Sequence, residues 1–183
     1  LSSFNEAVGS TYPGTLIVME KEHTMEDEVV TGITYTLNEA KITLEKLPDV
    51  PGVAEKIFYV LEKEDINIDM IVQSASSDGK FTDMTFTLAQ SDLNKAVKCL
   101  ENDPALKDFK LHAAKDMAKV SVVGVGMETS RGVARRMFST LTENDINISV
   151  ISTSQIKISV LVEGEHAKTA VRALHTAFHL DEP

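Results

Sequence analysis

The hydrophobic and polar positions of this chain run through one pattern twice. From Lys41 to Ser74, and again from Lys119 to Ser154, an alternating apolar stretch gives way to a glycine-bearing break. Apolar residues at helical spacing follow, and then alternation resumes. Gly52, Val53, Ala54, Phe58, Leu61, Ile66, Asn67, Ile68 and Ser74 match Gly132, Val133, Ala134, Phe138, Leu141, Ile146, Asn147, Ile148 and Ser154 at one constant offset of 80 residues. Identity at glycine, asparagine and apolar positions under a single offset marks an internal duplication. The 183 residues therefore divide into two similar units.

In the first copy, Ile42, Leu44 and Leu47 predict a strand that Pro48-Asp49-Val50-Pro51-Gly52 ends. Ala54, Ile57, Phe58 and Leu61 then fall on one helical face. Ile66–Val72 and Phe81–Leu88 read as two strands joined at Ser76-Ser77-Asp78-Gly79. Ser91-Asp92 reads as the cap of a helix with Leu93, Ala96, Val97 and Leu100 inward, and Phe109–Ala113 as a fourth strand. The second copy repeats this order: strand Val120–Val125, a helix from about Ser130 to Glu143, strands Ile146–Ser152 and Ile156–Val162, helix His166–Phe178. It then ends without a fourth strand. Val29–Thr36, closed by an expected turn at Asn38-Glu39, is the remaining strand of suitable length, so it is expected to complete the second sheet. The fold class is α+β, two ferredoxin-like βαββαβ units with the first inserted into the second. The boundaries are 41–115 for the first unit and 28–40 plus 116–183 for the second. Residues 1–27 form a connector with one short strand at Leu16–Met19.

Composition narrows the function. The net charge of −10 supplies no basic face, which argues against a nucleic-acid partner. The central strands also lack the aromatic residues on which RNA-binding sheets stack bases. No apolar run approaches the ~20 residues of a membrane span, and no basic leader precedes an apolar segment. The single cysteine, Cys99, fits a reducing, cytoplasmic setting and reads as a buried thiol. The chain opens on Leu1, which suggests a segment cut from a longer polypeptide.

Catalytic signals are thin. His175 and His179 stand four apart but lack a third ligand, Gly124-Val125-Gly126 lacks a dinucleotide loop's third glycine, and Arg131 is a lone phosphatase-type candidate. No metal, cofactor or catalytic residue is assigned. Two features recur in both copies: a glycine-ended loop before the first helix (Asp49–Gly52; Gly126–Gly132) and an asparagine opening the second strand (Asn67; Asn147). Helix amides suit a carboxylate, and Asp49 or an asparagine carbonyl suits an ammonium, so together they would hold a zwitterion. In the plainer reading Asp49 caps the helix and the asparagines pin strand ends.

Lys41–Leu44, Pro48–Gly52, Ile66–Gln73, Thr82–Thr87, Val122–Met127, Ile151–Ser154, Ile156–Ser159 and Ala173–Phe178 together resemble the regulatory region of aspartate kinases, from about Gly14 to Leu180. Ser2-Ser3-Phe4 resembles the exit from the kinase domain, whose lysine-bearing phosphate loop is absent, so the chain alone is not expected to be an enzyme. The resemblance implies tandem ACT domains, the first inserted into the second. It also implies a homodimer through those domains, partnership with a kinase catalytic domain or subunit, and feedback inhibition by threonine, with lysine as a second effector. Carried over, the threonine-type site comprises Asp49, Gly52, Ala54, Asn67, Ile68, Asp69 and Gln73, with Asn147 and Ile148 from the other domain type. The lysine-type site comprises Met127, Ser152, Thr153 and Ser154. Gln155 stands where the family usually carries glutamate and Ser74 where asparagine is common. A lost carboxylate weakens recognition of a lysine ammonium, which favours threonine. Rival readings are a ligand-free dimerisation scaffold, a regulator for another amino acid such as valine, and an enzyme in its own right.

Overall fold

The computed structural model describes residues 29–181 apart from 78, 105, 107, 108 and 129. The expected connector, with its strand at Leu16–Met19, lies outside the described residues. The elements in order are β1 (Gly32–Pro48), α1 (Val53–Lys63), β2 (Ile68–Ala75), β3 (Phe81–Ala89), α2 (Leu93–Asn102), β4 (Lys110–Val123), α3 (Val133–Glu143), β5 (Val150–Thr153), β6 (Lys157–Glu163) and α4 (Ala167–Ala177). Six antiparallel strands form one sheet in the order β2-β3-β1-β4-β6-β5.

The expected turn at Asn38-Glu39 does not form. β1 continues through it, and the separately expected strands Phe109–Ala113 and Val120–Val125 merge into β4. Asn38 and Asp116 instead take left-handed backbone, φ 58° each, and the β1–β4 register shifts on both sides of Glu39. These are bulges: an extra residue re-phases the in-out alternation without ending the pairing. Ile33 before the bulge and Ala40, Ile42 and Leu44 after it consequently all serve helix-covered cores. The alternation breaks at this point, which is why the sequence resembles a turn there.

Each half of the sheet has its own core. Ile42, Leu44, Met84 and Phe86 pack with Ile57 and Leu61 of α1 and Leu100 of α2, and the Phe58 ring meets Phe86 edge-on at 5.7 Å. Val120, Val122, Val160 and Val162 pack with Met137 and Leu141 of α3 and Leu174 of α4. On the other face, Met70, Met117, Val150 and Leu161 form a third buried cluster, drawing the outer strands β2 and β5 together. Part of the sheet face left open by the helices is therefore covered from within the chain.

Gly32–Thr36 pairs with Lys119–Val123, which also pairs with β6. The chain enters this half at Val29 and Val30, pressed against Gly124: a Cβ there would lie 2.2 Å from the Val29 carbonyl oxygen and 2.7 Å from Val30 Cα. Both obstacles are backbone, so Gly124→Ala must displace the start of β1 from the second core. The expected loss is about 1–3 kcal/mol, read as a lowered urea midpoint. An unchanged midpoint would mean that this approach is not needed.

Candidate functional site

α1 and α3 open alike. Gly52 and Gly132 hold φ 93° and 95°, a left-handed geometry that other residues adopt only with strain, and no side chain caps either helix. The reading of Asp49 as a helix cap is thereby corrected: its N–H donates to the Lys80 carbonyl at 3.1 Å, and Gly52 makes the turn. Asp92 likewise precedes α2 without a capping side-chain bond, because a short 3-10 turn over Gln90–Asp92 leads into the helix.

The structure separates the two recurring features within each half. Asp49 follows Pro48, which pairs with Phe81 at the outer end of β3. Ile68, just after Asn67, pairs with Leu88 at the inner end. Seven strand steps lie between Phe81 and Leu88, roughly 24 Å at ~3.4 Å per residue. The second half repeats this: Gly124 follows Val123 at the outer end, whereas Val150, three residues after Asn147, pairs with Leu161 and so reaches the level of Lys119. Both asparagines thus stand near the seam between halves and both glycine loops at the far ends. A single chain does not join loop and asparagine around one zwitterion.

Near the seam, Asn67 and Ile68 line a shallow hollow of about 430 Å³ with Phe58, Glu62, Asp65 and Ile71. Asp69 turns to the other face and forms an ion pair with Lys119 of β4. Beside them the Glu39 side chain is buried. Burial pushes its carboxyl above the ordinary range, Lys119 pulls it back down, and Asp69 adds a smaller upward push. The Met70 N–H donates to the Thr87 hydroxyl at 3.0 Å, fixing β2 where its register shifts.

The remaining expected positions are dispersed. Asp49, Gly52 and Gln73 are exposed, and Ala54 and Ile148 are half-buried against the first and second cores. Met127 is buried in the second core, which leaves mainly its backbone for a ligand. Ser152 pairs with Ser159, Thr153 is exposed, and Ser154 closes the β5–β6 turn through its N–H to the Lys157 carbonyl, 2.8 Å. Sequence reasoning missed Lys119 and Glu39. A lysine between Ala118 and Val120, in the small and β-branched stretch that ends β4, was the available signal for the first, and the supposed turn hid the second.

Other chemical groups have structural partners. His175 lies 3.4 Å from Asp181, and His179 lies 3.3 Å from Arg136, so each histidine has its own neighbour. Burial raises the Cys99 thiol above its ordinary value, which disfavours a reactive thiolate. Glu163, Glu165 and His166 bring potential ligand atoms within 4.8 Å of one another at the start of α4, largely exposed. No described helix is long and apolar enough to cross a membrane.

The ACT domain family model matches residues 36–103 and 120–178. The aspartate kinase of Stutzerimonas stutzeri (strain A1501) is 45% identical over 184 residues, covering 100% of this chain and 43% of the relative. This chain thus spans less than half the length of such relatives. The ligand-free regulatory subunit of aspartate kinase from Thermus thermophilus superposes with a TM-score of 0.73 at 37% identity, covering 82% of this chain and 99% of that one. A solved structure of aspartokinase alpha and beta subunits gives a TM-score of 0.74 at 38% identity, covering 82% and 99%. Two tandem matches to one family model, on a chain similar throughout to aspartate kinases and covering nearly all of an isolated regulatory subunit, place this protein in the ACT-domain family as an aspartate kinase regulatory region.

Proposed function

We propose that this chain is the effector-sensing part of an aspartate kinase: a non-catalytic ACT tandem that binds threonine, with lysine as a second effector, and conveys feedback inhibition to a catalytic domain or subunit. The kinase concerned is an ATP-dependent phosphotransferase acting on the aspartate carboxyl group, in the cytoplasm. The observation that carries the reading is the recurrence, in both units, of a left-handed glycine opening an uncapped helix and an asparagine opening the next strand. It occurs on a chain that covers 99% of an isolated regulatory subunit.

Loop and asparagine lie at opposite ends of each half, so the proposed site forms where two chains meet. The carboxylate sits on the amides of one chain's α1, and the ammonium lies between Asp49 of that chain and the Asn67–Asp69 end of the other's β2. A homodimer through the ACT units supplies this arrangement twice. The pairing of Gly32–Thr36 with Lys119–Val123 supports the nested organisation: residues 28–40 plus 116–183 as one unit, 41–115 inserted within it, and 1–27 leading from the kinase.

Effector affinities between micromolar and millimolar correspond to about −8 to −4 kcal/mol, and a coupling of about 1–3 kcal/mol suffices for inhibition. Threonine at 100 times its Kd should stabilise the chain by about 2.7 kcal/mol, seen as a raised melting temperature together with calorimetric heat. Lysine should give a weaker response. Heat and melting curves indifferent to every amino acid would overturn the sensor reading in favour of a ligand-free scaffold, and a response to valine alone would reassign the effector.

A further inference from the structure

Four arginines occur in this chain of net charge −10, and three of them, Arg131, Arg135 and Arg136, line a single cavity of about 580 Å³. It lies between the start of α3, the turn after α4 and the entry to β1, with His179, Phe178 and Val30 also on its wall. None of its described lining residues is acidic, and among the described residues no carboxylate forms an ion pair with any of the three guanidinium groups. Arg136 is oriented from two sides, with its guanidinium 5.6 Å from the Phe178 ring centre and Nη2 3.3 Å from His179 Nε2. Arg131 precedes the N-cap Gly132 and Arg135 lies in the first turn of α3, whose uncapped amides point the same electrostatic way.

Three cations with no carboxylate partner among the described residues converge here in an acidic protein, a charge pattern that suits a multiply charged anion. Guanidinium forks match the several oxygens of a phosphate group. The cavity's volume lies within the range of small-molecule sites, and Phe178, Val30 and Leu180 add apolar wall beside the charges. We propose that this cavity binds a phosphate-bearing small molecule; it shares Gly132 with the second unit's glycine loop and lies apart from Ser152–Ser154. The cavity lies against the start of β1, while Ser152 and Thr153 belong to β5 and Ser154 to the turn after it, at the sheet's outer edge with β4 and β6 between.

The test titrates the full chain, without added divalent cations, with inorganic phosphate and separately with ATP, at constant ionic strength. Calorimetry gives affinity, and the amide NMR shifts of Gly132 and Val133 give location. Saturable binding is expected, with those amides moving and with affinity at least 10-fold weaker in Arg131→Ala/Arg135→Ala, two exposed positions whose loss leaves the melting temperature unchanged. ATP binding tighter than phosphate supports an organic phosphate as the ligand, and equal affinity supports the free anion. No saturation by either up to about 10 mM, a level that would reveal even millimolar affinity, would overturn the proposal. So would binding that the double variant leaves intact.

Discussion

Lys119→Met is expected to destabilise the protein by about 2–3 kcal/mol at neutral pH, and by clearly less in mild acid. Lys119 has 18% side-chain exposure and reaches from β4 to Asp69 on β2, while Glu39, at 7% exposure, is buried nearby on β1. Removing one member of a buried pair costs about 3–5 kcal/mol because a charge is stranded. The figure is reduced here because Asp69 keeps 41% of its side-chain surface in solvent and is screened. The pH dependence follows from Glu39. Its carboxyl sits above the ordinary value of 4.5, chiefly through burial, so the folded state holds the proton more tightly than the unfolded chain. The corresponding stability is fully present below the unfolded pKa and is lost as pH rises through the folded one.

Lys119 keeps that loss small by pulling the folded pKa down. Without it the pKa rises further, the neutral-pH deficit grows, and the deficit shrinks as acid neutralises Glu39. Urea unfolding of both proteins at pH 7.5 and pH 5 gives the two deficits. Equal deficits would show that Lys119 does not act through Glu39, leaving its pair with Asp69 and its packing to carry the loss. Adding Glu39→Gln to Lys119→Met should restore much of the neutral-pH loss, since an amide carries no charge to strand. Under the proposed effector reading the same contact has a regulatory meaning, because an effector ammonium arriving at Asp69 competes with Lys119 for its carboxylate.

What was legible in the sequence was local. The glycines at 52 and 132 announced themselves because a left-handed turn before a helix tolerates little else. The helices followed from apolar spacing, and Ile57, Leu61, Met137 and Leu141 are all fully or almost fully buried. The failures were where several elements jointly decide. Asn38 and Asp116 carry the polar, φ-tolerant chemistry of turns, and only their neighbours' pairing shows that they are bulges in long strands. Lys119 meets Asp69 because the sheet draws its outer strands together, which no window of sequence reports. The separation of Asp49 from Asn67 depends on α1 carrying the chain back along the sheet, so residues close in sequence end up far apart. Arg131 was visible in its loop, but its convergence with Arg135 and Arg136 required knowing which side of α3 faces the cavity.

That separation makes the shared-site reading testable by mixing. Asp49→Ala and Asn67→Ala should each weaken threonine binding about 30- to 150-fold, since losing a hydrogen bond to a charged group costs roughly 2–3 kcal/mol. Both residues are exposed, so melting temperatures should hold. In a two-fold dimer each site takes its loop from one chain and its asparagine from the other. A mixed dimer of the two variants therefore has one site lacking both groups and one with both intact. With equal amounts and free exchange of subunits, about half the dimers are mixed, and each has one good site of two. Calorimetry should then find about one quarter of the unmodified protein's sites, at unmodified affinity, although neither variant alone binds well. Recovery of no sites would mean that Asp49 and Asn67 do not act together across the chain boundary. Undiminished binding in either variant alone would remove that residue from the site.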